Sequence, residues 1–94
     1  MSRREEVRAE ARSHAPSGHR PRFVLETMLG WDTVKAELPE GKPVCMAVMR
    51  EYPSSIGVAY GAAMVELGSD DEREFVTCAK RAGFWLVVFE AAGP

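Results

Sequence analysis

Histidine and cysteine are scarce in this chain, two of each among 94 residues, and that scarcity removes several kinds of chemistry at once. Cys45 and Cys78 stand far apart and form no Cys-x-x-Cys, so neither a zinc ribbon nor a dithiol redox pair is written here. Both read as reduced thiols in the core of a cytoplasmic protein. His14 and His19 fall in HAPSGHRPR, whose prolines, glycine and serine describe a linker or exposed loop. A catalytic nucleophile needs a base held beside it, and a loop histidine does not supply one. No metal site is expected, since no cysteine has a partner at ligand spacing.

Long apolar runs are missing too. The longest stretch of apolar and glycine residues, Ile56 to Val65, is about half the ~20 residues that a membrane-spanning helix needs. The amino terminus is charged and no leader-like apolar segment follows it, so a chain retained in the cell and away from the membrane is expected. Gly41-Lys42-Pro43 lacks the upstream glycine and following Ser or Thr of a phosphate loop, and Gly57-Val58-Ala59-Tyr60-Gly61 lacks the third glycine of a dinucleotide turn. No cofactor and no catalytic residue follow from the sequence.

What is present is best organised between Gly68 and Glu90. Ser69 and Glu72 have the spacing of a capping box, which satisfies two amides that a helix start leaves unpaired. Asp70, Asp71, Glu72 and Glu74 crowd the first turns and Lys80 and Arg81 the last, opposing the helix dipole at both ends. That capping role accounts for the acidic cluster without a bound cation. Gly83 stops the helix. Phe75, Cys78, Ala79 and Ala82 are expected to form its apolar face, with Val76 on the flank. Phe84 to Phe89, FWLVVF, is apolar at every position and reads as a strand covered on both sides.

Upstream, Ser2 and Glu5 repeat the capping-box spacing, and residues 2–13 have helix-forming composition with only Val7, Ala9 and Ala11 to bury. Such a helix is expected to be frayed, or ordered by a partner. Arg4, Arg8 and Arg12 fall at successive i,i+4 positions as a cationic stripe. Residues 1–21 therefore read as a flexible basic arm and linker, and 22–94 as one domain. Charge divides the same way: the first 22 residues carry six arginines against three glutamates, a net +3, within a chain of net −2. Arg22 to Leu38 is expected to be one amphipathic helix opened by Pro21, with Val24, Met28, Trp31 and Leu38 on its stripe and a kink or break near Gly30 and Asp32. Val44 to Met49 reads as a strand, Tyr52-Pro53-Ser54-Ser55 as a turn, and Ile56 to Leu67 as a strand bent near Gly61, with a helix as the alternative for that last segment.

The expected fold is α+β: a small, mainly antiparallel three-stranded sheet packed by helices, in the order α-α-β-β-α-β, similar in architecture to a ferredoxin-like fold lacking its first strand. That similarity carries no function. The reading that survives the exclusions is a non-enzymatic protein-binding module, an inhibitor, adaptor or regulatory subunit, with a second copy of the chain among its candidate partners. Arg4, Arg8, Arg12, Trp31, Arg50 and Tyr52 are the candidate contact residues, arginine and aromatics being favoured where binding energy concentrates. A bare strip at Gly57, Ala59, Gly61 and Ala63 would let another surface approach closely. One alternative is a nucleic-acid-associated regulator using the arginine arm, against which stand the acidic body and the lack of aromatics between the arginines. The other is a small enzyme or ligand-binding domain with its site between protomers.

Overall fold

The structure is a computed structural model that describes residues 3–26, 30–39, 41–51 and 58–92, without the side chains of 49–51 and 58–62. Its elements in chain order are α1 (Arg3–Ser13), β1 (His19–Glu26), α2 (Trp31–Glu37), β2 (Pro43–Glu51), β3 (Val58–Glu66), α3 (Asp70–Ala82) and β4 (Trp85–Ala91). The four strands form one antiparallel sheet in the order β1-β4-β2-β3. Two crossovers interleave: β4 lies between β1 and β2, which α2 connects, and β2 lies between β3 and β4, which α3 connects. The result is a small α+β protein with a fourth strand that the sequence reading lacks.

That extra strand is the main correction. Residues 22–38 do not form one helix: β1 takes the first part, and α2 begins only after Gly30, whose φ of 95° is open to glycine and strained for other residues. Phe23, Val24 and Leu25 are consecutive apolar residues because β1 has cover on both faces, Phe23 and Leu25 toward one helical layer and Val24 toward the other. Pro21 sits in an edge strand beside a register shift between Pro21 and Phe23, where its missing N–H leaves no ladder bond unmade. The irregularity expected at Gly61 is thus found in β1, whereas the β2–β3 pairing runs in unbroken register from Glu51↔Val58 to Pro43↔Glu66.

The sheet is sandwiched. On one face α2 and α3 bury Trp31, Val34 and Val76 against Met46, Leu86 and Val88. On the other, α1 lays Val7 and Ala11 over Val24, Val87 and Phe89. The helix expected to be a frayed arm is packed, and the segment read as arm and linker also supplies the first residues of β1. Two-sided cover explains why β4 is apolar from Trp85 to Phe89: Leu86, Val87 and Val88 are all buried, each contributing roughly 1.5–3 kcal/mol.

Helix α3 begins and ends where its sequence directs, but only half of the expected capping box forms: the Ser69 amide donates to the Glu66 carbonyl at 3.0 Å and not to Glu72. The Ser69 hydroxyl accepts from the Glu72 amide at 3.3 Å. At the far end Gly83 adopts φ 71°, and the amides of Gly83 and Phe84 donate to Lys80 and Ala79, the paired bonds of a Schellman end. The buried stripe, however, is Glu72, Val76 and Ala79, while Cys78 and Ala82 are exposed and Phe75 is half-buried. The helix is rotated from the expected face because Glu72 turns inward. Its Oε1 lies 3.0 Å from Lys35 Nζ on α2 and makes no hydrogen bond of good angle, so that ammonium is its one countercharge among the described residues.

Candidate functional site

The two edges of the sheet are built differently. At β1 the Arg8 side chain crosses from α1 and Nη1 donates to the Pro21 carbonyl at 3.1 Å, with both terminal nitrogens 3.5 Å from the Arg22 carbonyl. Arg8 thereby occupies acceptors that an edge strand would otherwise offer to another chain. Among the described residues β3, the opposite edge, has no neighbour beyond it and one charged residue, Glu66. Met64 on this strand is 62% exposed, the only exposed large hydrophobic residue described.

A groove of about 440 Å³ lies between β3 and α3, lined by Val48, Ala63, Val65, Phe75, Cys78 and Phe84. Asp71 and Glu74, both exposed, line it as well. Cys78 is in this groove because of the rotation of α3, which a helical-wheel reading placed in the core. Across the sheet a smaller cavity of about 260 Å³ is lined by Pro16, His19, Cys45 and Met64. Cys45 is buried, as expected, and burial pushes its thiol above the ordinary value by removing water from the thiolate. His19 Nδ1 is 3.0 Å from the Ser17 carbonyl oxygen, and His14 Nε2 is 3.2 Å from Glu10 Oε1. Among the described residues no three His, Cys, Asp or Glu side chains converge as metal ligands would.

The residues singled out by sequence scatter. Arg4 and Arg12 are exposed on α1, and Arg8 is half-buried in its contact with β1. Trp31, one of the candidate contact residues, is 7% exposed and belongs to the core under α2. Tyr52, the Pro53 turn and Gly57 lie outside the described residues, as does the side chain of Arg50. Of the bare strip on β3, Ala63 is partly buried against the core.

What the structure assembles is another set: Arg4 and Arg8 from α1 and Arg22 from β1 line one cavity of about 340 Å³ with Phe23 and α2. Met64 lies in the segment read as a strand, where nothing local marks it as exposed; its exposure depends on α1 covering the other half of the sheet. Comparison of the chain with family models, with curated proteins and with solved structures gives no match.

Proposed function

We propose that this chain is a non-enzymatic protein-binding module, an inhibitor, adaptor or regulatory subunit, that meets its partner along β3. The observation that carries the reading is the contrast between the edges: Arg8 blunts β1, whereas β3, among the described residues, is an unpaired strand with Glu66 as its one charge and Met64 exposed at 62%. An extended segment of a partner adds to such an edge through backbone hydrogen bonds, and adjacent apolar pockets select its side chains. The groove beside α3 is placed for that selection. Methionine suits an adaptable contact because its unbranched side chain refits to different surfaces.

The test uses Met64→Lys, a gatekeeper charge on an exposed position that leaves the core alone. Light scattering over a dilution series asks whether a second copy is the partner. Affinity capture with the wild-type and Met64→Lys chains as baits asks whether another protein is. The reading requires an association, of either kind, that slows hydrogen exchange along β3 and is lost in Met64→Lys. Association that survives the substitution with β3 amides unprotected overturns it.

A further inference from the structure

We propose that the cavity at the β1 corner, lined by Arg4, Arg8, Arg22, Phe23, Thr33 and Glu37, is an anion site for the phosphate group of a small phosphorylated molecule. Three arginines and one acidic residue, Glu37, line about 340 Å³ of open space, and the one further carboxylate paired with them is Glu90, 3.8 Å from Arg22 Nε, so the lining keeps a positive excess that an anion offsets. Guanidinium forks suit phosphate oxygens, which accept two parallel N–H bonds from each.

Two of the three arginines are held in place. Arg8 is fixed by the Pro21 carbonyl, 3.1 Å from Nη1, and by the Arg22 carbonyl, 3.5 Å from both terminal nitrogens, which leaves the Nε–H and one Nη2–H outside those bonds. Arg22 is held with its Cζ 4.8 Å from the Phe23 ring centroid and its Nε 3.8 Å from Glu90 Oε2. The Arg4 side chain is exposed on α1. Anchoring reduces the side-chain entropy lost when a ligand binds, the usual penalty for an arginine site. The α2 side of the cavity offers the Thr33 hydroxyl as a further donor.

Confinement points to a small ligand in preference to a nucleic-acid strand. Arg12, the third member of the i,i+4 stripe, does not line the cavity, so the cations form a compact cup and not a track along a backbone. The volume is near the lower end of the roughly 300–1,000 Å³ typical of small-molecule sites. The site is at the edge of the sheet opposite β3, and the inference is independent of the protein-binding proposal.

Titration of the full chain with inorganic pyrophosphate in chloride buffer, followed by calorimetry and by the arginine Nε–H resonances, tests the assignment. Saturable binding is expected, weakened about tenfold by Arg4→Gln, the loss of one charge-assisted contact. Glu37→Gln is expected to tighten it, and Arg12→Gln to leave it unchanged. Arg4 and Arg12 are exposed, so both variants retain the fold. A single-stranded oligonucleotide is titrated at the same salt and phosphate concentration. Absence of saturable binding at millimolar pyrophosphate overturns the proposal. Equal weakening by Arg12→Gln and Arg4→Gln, or tighter oligonucleotide binding that depends on Arg12, also overturns it, in favour of a diffuse electrostatic surface.

Discussion

Arg8 and Pro21 meet across the outer margin of β1, the guanidinium Nη1 of one donating at 3.1 Å to the carbonyl of the other. The contact joins the helical layer over one face of the sheet to the strand that ends it. It forms where the register shift leaves Arg22 without a partner on β4, so the bonds that β4 does not make are offered to α1. One interaction thus docks the first helix and protects the edge.

Replacing Arg8 by Gln is therefore expected to lower stability by about 1–2 kcal/mol, below the upper range for hydrogen bonds to charged groups because the site is half-exposed. Arg12→Gln, on the exposed side of the same helix, is expected to change it by less than about 0.5 kcal/mol. Urea titration of the two variants measures the difference. Equal midpoints would show that the Arg8 contact stabilises nothing.

The parts of this fold that could be read from the sequence are those whose cause is local. Ser69, the acidic first turn and Gly83 mark α3 because capping acts within a few residues, and β4 is legible because six consecutive apolar residues leave little choice. β1 was hidden for the opposite reason. Cover on both faces removes the alternation of Phe23, Val24 and Leu25, and Val24, Met28 and Trp31 also happen to fit a helical period. Only the arrival of α1 on the far face settles which period wins. The candidate sites depend on the same distant events: Glu72 faces inward because Lys35 reaches it from α2, and that rotation carries Cys78 into the groove. Arg22 joins Arg4 and Arg8 only because β1 passes beside α1.

Lys35 and Glu72 provide the next prediction. Glu72 is 5% exposed, with its ion-pair partner on a different helix. Lys35→Met strands a buried carboxylate and is expected to cost about 2 kcal/mol, less than the roughly 3–5 kcal/mol of a fully buried pair because Lys35 keeps some contact with water. The double variant Lys35→Met/Glu72→Met removes both charges together and is expected to recover most of that loss. Denaturant unfolding of the two singles and the double closes the cycle. Strict additivity would mean that the two side chains do not interact across α2 and α3.

Residues 1–13 are expected to be integral to the domain. Val7 and Ala11 are buried over Val24, Val87 and Phe89, so deleting α1 exposes those residues to water. The truncated chain should melt at a lower temperature and bind an apolar dye such as ANS, and Phe89→Asp in the full chain should unfold it by placing an unpaired charge in the same layer. A truncated chain with an unchanged melting temperature would return residues 1–21 to the status of a dispensable arm.

The two thiols give a prediction with a defined pH dependence. Cys78 is exposed and should react with a thiol reagent much faster than Cys45, which reacts only through opening of the sheet. Burial raises the Cys45 ionisation above its ordinary value, so the folded chain keeps a proton that the unfolded chain releases sooner. The associated stability is fully present below the ordinary thiol value. It declines as pH rises from there through the raised folded value, because hydroxide then favours the unfolded thiolate. Cys45→Ala lowers stability at every pH through its lost packing but is expected to flatten this alkaline decline, and Cys78→Ala to leave it intact. The check is the slope of unfolding free energy between pH 7 and 10 for the three chains. If the slope survives in Cys45→Ala, another group controls the alkaline limit.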